Sequence, residues 1–465
     1  MPRTKIVATI GPASASREAL DALIAAGMSV ARVNASHTPR EGLARALETV
    51  RAASVAAGAH VAVMLDLGGP KLRVGEVALG TTLVAGTPFD LVADECVGDA
   101  RRVSVTYAGL PADVPEGARV LLDDGRIELM VTGRRPGVLE TVVVTGGALS
   151  SHKGLNVPGV RLSLDAITPK DVDDLAWALD NGVDLVAQSF VRVAADVDRL
   201  RALMGERVVP IVAKIEKHEA LDSIEDIVAT ADAVMVARGD LGVETSPEEV
   251  PVAQRRIVSA CRAAGKPVII ATQMLESMTT ATRPTRAEAS DVANAIFSEV
   301  DAVMLSAETA VGAHPALVVA TMARIATTAE SALAETSGVA PLGGRDDVTR
   351  AVSAAVARIA HVLDVAAIVT ATQSGATARA VAAHRPRVPV VAVTPDETVA
   401  RQLALVWGTK AVVVPQRGTI EGMLSHVVTA VVDAGLVSRG SLVALTAGVA
   451  VGVKGGTNLI EVVRA

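Results

Sequence analysis

Two short apolar runs in this chain, Val209–Ala213 and Ala233–Ala237, each end in charge. The first ends in Lys214, Ile215 and Glu216, the second in Arg238, Gly239 and Asp240. In a strand, residues two apart share a face, so Lys214 and Glu216 point the same way. About one helical crossover separates the runs, which lets the second strand lie parallel beside the first and brings Asp240 out next to Glu216. One ammonium and two carboxylates at adjacent strand ends suit a divalent metal ion and an anionic substrate. The same carboxylates could instead start the following helix or turn. The other strand ends decide between these readings.

The elements that must position these groups recur along the chain. β-rich runs occur at Lys5–Ile10, Val30–Val33, Val61–Leu65, Leu185–Ala187, Ile211–Ile215, Ala233–Ala237, Val268–Ala271 and Ala302–Leu305. Helical patterns separate them, such as Arg17–Ala26, Glu41–Ala57, Ala194–Met204, Glu248–Ala264 and Arg286–Ser298. Eight strand-and-helix units predict a (β/α)8 TIM barrel, with an open doubly wound sheet as the alternative. Residues 1–68 and 162–335 form it. Between them, helical periodicity gives way to alternating apolar residues with Gly, Pro and Asp-Gly pairs. Residues 69–161 therefore read as a β-barrel lid domain inserted after the third strand, over the rim where barrel enzymes place their sites. A looser stretch, Thr336–Asp347, opens a third unit, 336–465, read as an open, mainly parallel C-terminal α/β domain.

Seen together, the carboxyl ends of the barrel runs are polar nearly all round. They carry Arg32, Asn34 and Ser36; Asp66; Gln188 and Ser189; Lys214 and Glu216; Gly239 and Asp240; Thr272 and Gln273; Ser306 and Glu308. Lys71 and Arg73 follow the third strand. Arg32, Arg73 and Lys214 suit a phosphate or carboxylate, and Glu216 with Asp240 suits Mg²⁺ or Mn²⁺. There is no GxxxxGK loop and no GxGxxG after the first strand, so a nucleotide would be held another way. Thr285 to Glu288 reads as a capping box. Thr372, Gln373, Ser374, Gly375, Ala376 and Thr377 join a strand to a helix, which they could cap or use to cradle a phosphate.

Bulk properties bound the rest. Half of the 465 residues are hydrophobic but only 1% aromatic, so Ala, Val, Leu and Ile fill the core, as in strands buried on both faces. The net charge of −7 argues against a general nucleic-acid binder. Cys96 and Cys261 match no metal or redox spacing and fit a reducing compartment. With no secretory pattern at the start and no uninterrupted apolar stretch long enough to span a bilayer, a cytoplasmic protein without membrane association is expected.

At this point the chain resembles the pyruvate kinase family. The matching segments are TKIVATIGPAS from Thr4, ARVNASH from Ala31, LDLGGPKLR from Leu65, SHKGLNVPG from Ser151, AQSFVR from Ala187 and AKIEKHEAL from Ala213. They continue with MVARGDLGVE from Met235, GKPVIIATQMLESM from Gly265, RPTRAEASDVANA from Arg283, MLSAETAVG from Met304 and LTAGVAVG from Leu445. The resemblance implies phosphoryl transfer from phosphoenolpyruvate to ADP, giving pyruvate and ATP. By position it implies Glu216 and Asp240 as divalent-metal ligands and Lys214 as the stabiliser of charge on the phosphoryl and enolate. It implies Arg32 and Arg73 at the phosphate, and backbone N–H groups of Gly239 and Asp240 at the substrate carboxylate. Thr272 falls near the enolpyruvate methylene. A threonine hydroxyl is too weak an acid to donate directly, which favours a water relay with Ser306 and Glu308. Asn34, Ser36, Asp66 and the carbonyl of Leu67 match the monovalent-cation cage, and His37 and Lys153 match positions near the ADP phosphates. Thr372, Ser374, Gly375 and Thr377 match a loop for a phosphosugar or nucleotide effector, and a homotetramer is implied.

The sequence also departs from the family pattern. Ala35 and Thr38 replace a common Phe and Gly, His152 a frequent Lys, and Leu67-Gly68 a Thr-Lys pair. Lys71 stands where potassium-dependent members carry Glu. A tethered ammonium there would replace K⁺, so the enzyme is expected to work without it. Two other readings remain: another metal-dependent barrel acting on phosphoenolpyruvate or an enolate, and a metabolite sensor with a vestigial barrel. The first leaves the lid and Lys153 without a role. The second leaves Lys214, Glu216, Asp240 and Thr272 without one.

Overall fold

A computed structural model describes residues 2–336, 348–415, 420–448 and 457–465, with side chains 334–336 and 420–425 left aside. The apolar runs form β1 (Lys5–Thr9), β2 (Met28–Asn34), β3 (Ala62–Asp66), β4 (Leu185–Gln188), β5 (Ile211–Ile215), β6 (Ala233–Ala237), β7 (Val268–Ala271) and β8 (Ala302–Leu305). They close into a barrel in chain order, every pair parallel, with β1 bonded to both β2 and β8. Period-two alternation sends one set of side chains inward, including Val7, Met64, Val212, Met235, Ile269 and Met304. The other set, including Ile6, Val63, Ile215 and Val303, packs beneath the helices. With both faces buried, the strands read as unbroken apolar runs. Small inward residues, Ala62, Ala187, Ala233, Ala271 and Ala302, let a barrel nearly without aromatics fill its own interior.

Helix ends follow local chemistry. The Ser16 side chain caps helix Arg17–Ala26 by accepting from the Ala19 N–H, and Gly27 at φ 118° ends it. The Thr285–Glu288 capping box is formed at helix Arg286–Phe297. Helix Pro315–Thr336 has a stretch, Pro315–Leu333, long and apolar enough to cross a membrane. Here it buries Val318, Val319 and Met322 in the barrel's outer core.

Between β3 and β4 the inserted segment forms a six-stranded sheet and a two-stranded ribbon around Phe89, Leu91, Leu122, Ile127 and Leu129. Its edges are joined through Arg73, Val74 and Val77 by isolated bridges to Gly154, Val105 and Gly98 rather than by a continuous ladder. Closure of this lid is therefore looser than that of the main barrel.

The C-terminal sheet contains β9 (Ala367–Ala371), β10 (Val390–Thr394), β11 (Thr409–Val413), β12 (Leu442–Ala447) and β13 (Leu459–Arg464). Its order is β11-β10-β9-β12-β13, with only β13 antiparallel. The linker expected at 336–347 lies, but for Thr336, outside the described residues. So does part of the segment from Leu445. Helix Glu397–Gln402 tightens directly into a 3₁₀ turn, Leu403–Leu405. That turn delivers Ala404 and Leu405 to the barrel's inner core at its amino end, docking the two domains.

Candidate active site

Parallel strands deliver their last side chains to one rim. There Lys214 carries the ammonium around which the rest is arranged. Its Nζ lies 2.8 Å from Glu216 Oε1, 3.2 Å from Asp66 Oδ1 and 2.7 Å from Ser189 Oγ. Burial alone would lower its pKa, but Asp66 and Glu216 outweigh it and hold the lysine charged well above its usual range. Asp66 feels burial pushing upward, yet Lys214 and Arg32 bring it below the normal carboxylate range. The Arg32 Nε lies 2.7 Å from Asp66 Oδ2, and its Nη1 donates to Thr9 Oγ1 at 2.9 Å.

Glu216 differs from Asp66. Its Oε2 accepts the Phe190 N–H at 2.8 Å. Burial raises its pKa, and the neighbouring Asp240 and Asp66 charges add to the rise against Lys214. Glu216 and Asp240 thus stand close enough for one carboxylate charge to be felt by the other. This is the donor chemistry a divalent cation fits, since Mg²⁺ uses one or two carboxylates and completes its shell with water and substrate oxygens. Among the described residues no cluster of three or more His, Cys, Asp or Glu forms a metal cage.

Asp240 lies in the first turn of helix Arg238–Glu244, which starts directly after β6. Its Oδ1 is 3.1 Å from the Lys71 ammonium of the lid. The Lys71 charge thus stands at the rim beside Asp240, while Asp66, the one acid of the monovalent cage, is already saturated by Arg32 and Lys214. The other cage groups are also engaged: Asn34 Oδ1 accepts the Ser36 N–H at 2.9 Å, and the Leu67 carbonyl accepts from Ser189 Oγ at 2.7 Å.

Thr272 follows β7 with φ +68°, and Gln273 with φ +54°. A β-branched residue in the left-handed region is strained and needs support. Arg238 supplies it. Its Nη2 donates to the carbonyls of Thr272 at 2.6 Å and Gln273 at 3.1 Å, while Nη1 grips both oxygens of Asp291 at 2.9 and 2.7 Å. Arg238, which ends the β6 run in sequence, is thus a bracing residue of the site that its position alone does not assign. Its signal was an arginine in a strand end that is otherwise apolar. The Gly239 N–H, expected at a substrate carboxylate, donates here to Thr272 Oγ1 at 2.8 Å.

The remaining expected residues divide. Glu308 is buried, with its carboxylate accepting the N–H groups of Ser306 at 2.6 Å and Leu275 at 3.3 Å. Among the described residues the Ser306 hydroxyl is buried without a partner, which leaves it for a water. Arg73 donates to the His152 carbonyl at 2.9 Å, and Lys153 pairs with Asp123 at 2.8 Å, both on the lid. The pKa of His37 is lowered by burial and by the nearby charges of Arg73, Lys71 and Arg32, so a strongly cationic patch faces it. Far from this rim, the Thr372 hydroxyl accepts the Gly375 N–H at 2.9 Å and the Thr377 and Thr457 hydroxyls lie 2.8 Å apart.

Comparison with known proteins agrees with this geometry. Residues 1–319 match the family model described as the pyruvate kinase barrel domain, and residues 350–463 match its alpha/beta domain. The chain is 46% identical to a pyruvate kinase of Geobacillus stearothermophilus, over 99% of this chain and 80% of the relative. It is 45% identical to one of Mycobacterium tuberculosis, over 99% of this chain and 98% of the relative. A crystal structure of a pyruvate kinase from Cryptosporidium parvum superposes with a TM-score of 0.91 at 35% identity, covering 100% of this chain and 96% of that one.

Proposed function

The chain belongs to the pyruvate kinase family, and we propose that it transfers the phosphoryl group of phosphoenolpyruvate to ADP, giving pyruvate and ATP. The observation that carries this reading is the Lys214 ammonium, buried and kept charged between Asp66 and Glu216 at the barrel rim. A fixed positive charge in a water-poor site stabilises charge that grows on a transferring phosphoryl group and on the enolate left behind.

The other roles follow from position. Arg32 and Arg73 hold the phosphate. The N–H groups of Gly239 and Asp240 take the substrate carboxylate. To do so, Gly239 releases Thr272 Oγ1, whose proton points to the Ala271 carbonyl, and that oxygen can then accept from the water that protonates the methylene, with Ser306 beside it. Glu308 fixes the Ser306 backbone. Glu216 and Asp240 would hold Mg²⁺ or Mn²⁺. When bound, this ion neutralises phosphoryl and carboxylate oxygens. His37 and Lys153 face the ADP phosphates. Lys71 keeps a permanent positive charge at the rim, so K⁺ at Asn34, Ser36, Asp66 and Leu67 is not required. Thr372, Ser374, Gly375 and Thr377 form an effector loop for a phosphosugar or nucleotide. The working form is a cytoplasmic homotetramer, and the domain limits are 1–68 with 162–335, 69–161 and 336–465.

The test is ATP formation from phosphoenolpyruvate and ADP by the purified protein with Mg²⁺. ATP should form at a rate proportional to enzyme. Cleavage of phosphoenolpyruvate without ATP would replace this reading with a lyase or aldolase-like one.

A further inference from the structure

Helix Arg238–Glu244 carries Gly239 and Asp240 in its first turn and ends on Glu244. Both ends are tied to the lid. At the first turn Asp240 meets the Lys71 ammonium at 3.1 Å, a pair partly open to solvent and so weakly held. At the last residue Glu244 is buried, and its Oε1 accepts from Asn156 Nδ2 of the lid at 2.6 Å and from Lys217 Nζ at 2.6 Å. Lys217 follows Glu216 directly. One carboxylate oxygen therefore joins the helix of Asp240, the strand end of Glu216 and the lid.

Asn156 lies in the two-residue lid strand Leu155–Asn156, paired antiparallel with Leu121 and Leu122. Three residues before Asn156 comes Lys153, and directly after Leu122 comes Asp123, its partner at 2.8 Å. The strand pair that meets Glu244 at one end thus presents, at the other, the lysine expected at the ADP phosphates. A role in folding alone fits Glu244 poorly. Asp184, at the opposite end of the barrel, uses both oxygens, Oδ1 for Arg401 and Oδ2 for Arg51 and the Val63 N–H. Glu244 turns both donors to Oε1 and leaves Oε2 buried with no hydrogen-bond partner among the described residues. His218 Nδ1 stands 4.0 Å from Oε2, beyond a hydrogen bond. Nor does close packing fix the lid here. A cavity of about 40 Å³ lies beside the tie, lined by Leu72, Leu155, Asn156, Phe190 and Lys217. With a gap in the packing, directional charge-assisted bonds decide where the lid sits.

We propose that Glu244 and Asn156 are positioning residues: their buried bond is the pivot of the lid, and it holds Lys153 in register with Asp240 and Glu216. A buried bond to a charged group is worth more than an exposed ion pair. The Asn156–Glu244 bond therefore persists while the Lys71–Asp240 pair opens, and the lid turns about this end rather than coming away from the site. Its effect on phosphoryl transfer rests on the proposed function; its effect on the lid does not.

Exchanging the two groups tests the pivot on the full chain. Asn156→Asp sets a second carboxylate against Glu244, and Glu244→Gln removes the charge that Asn156 and Lys217 share. Each should weaken ADP binding, read by calorimetry with Mg²⁺ present, about tenfold. Each should also speed amide hydrogen exchange at residues 69–72 and 157–163 about tenfold, with strand Ile127–Arg135 of the lid core unchanged. Asn156→Asp and Glu244→Gln together put one carboxylate and one amide back in reversed places, and should return both readings to within about twofold of the parent. Circular dichroism checks folding. If a single variant unfolds, Asn156→Ala, which only deletes the lid's donor, carries the test and should still speed exchange at both segments. Single variants that match the parent in both readings overturn the pivot. So does a double variant no better than the poorer single one, since packing and not the bond would then hold the lid. Absence of ATP formation by the parent would refute the proposed reaction and leave hydrogen exchange to decide the pivot.

Discussion

The two ends of the barrel use carboxylates at strand ends for opposite purposes. At the amino end, Asp184, Asp232 and Asp301 each stand directly before an even-numbered strand. Each accepts the N–H at or near the start of the preceding odd strand: Val63, Ile211 and Val268. Each also meets an arginine, namely Arg51 and Arg401 at Asp184, Arg201 at Asp232 and Arg385 at Asp301. Two of those arginines, Arg401 and Arg385, come from the C-terminal domain and clamp it on. At the carboxyl end Asp66 is likewise saturated by Arg32 and Lys214, but Asp240 meets only the Lys71 ammonium of the lid, Glu216 is pushed toward protonation, and Thr272 is strained. Full satisfaction gives stability. Incomplete satisfaction, held in place by rigid strands, leaves electrostatic capacity for a ligand.

The sharpest way to break this comparison is to unpair an amino-end carboxylate. Arg385→Met strands Asp301 in a buried site, which typically costs about 3–5 kcal/mol. Thermal and denaturant midpoints should fall strongly while kcat per folded molecule stays near the parent's. A large kcat loss with unchanged midpoints would erase the distinction. Lys214→Met makes the mirror test. The rate should drop roughly 10²–10³-fold or more, with Mn²⁺ binding, read by electron paramagnetic resonance, largely kept. A surviving rate would remove Lys214 from its assigned role.

Arg238 lies between the two regimes, since it braces a strained residue of the site with structural bonds. Arg238→Lys loses the fork and should lower kcat by about tenfold, on the scale of one or two charge-assisted hydrogen bonds, with little change in KM. A KM increase at constant kcat would contradict positioning of Thr272. Lys71→Glu sharpens the electrostatic argument: the parent should be active in potassium-free buffer, and the variant should need K⁺. Activity of the parent that appears only with K⁺ would refute it.

The smallest effect concerns an amino-end cation. Lys5 Nζ donates to the Thr409 carbonyl at 2.6 Å, and its pKa is lowered to about 8, mainly by burial and then by Lys410. A lysine normally titrates near 10.4, so between about pH 8 and 10 the unfolded chain binds more protons than the folded one. Native stability therefore rises with pH through that window, and the charged form is penalised below it. Lys5→Met should gain melting temperature relative to the parent at pH 7, and the gain should shrink by pH 9.5. A difference independent of pH would show that Lys5 titrates normally.

Much of this was legible because it is local or periodic. The eight runs, the Ser16 and Thr285 caps and the alternation that puts Lys214 with Glu216 depend on neighbours in sequence. The aspartates of the amino end were legible too, as the recurrent GVDLV, TADAV and EVDAV before β4, β6 and β8, but period-two reasoning looks along a strand and passes over the residue before it. The pairing of Lys71 with Asp240 was not legible, since it joins a lid to a helix start 169 residues away. The same holds for the bracing of Thr272, which needs a positive φ that no residue type announces.

By itself, then, the sequence determined the barrel, its inserted β domain, and which strand ends carry charge, because hydrophobic period and residue type are properties of short segments. Tertiary structure alone decided how those charges are shared. Lys214 serves Asp66 as well as Glu216, Arg238 serves Thr272, and Lys71 turns to Asp240. Pairing depends on distance and burial in three dimensions, and burial sets how strongly each charge is felt.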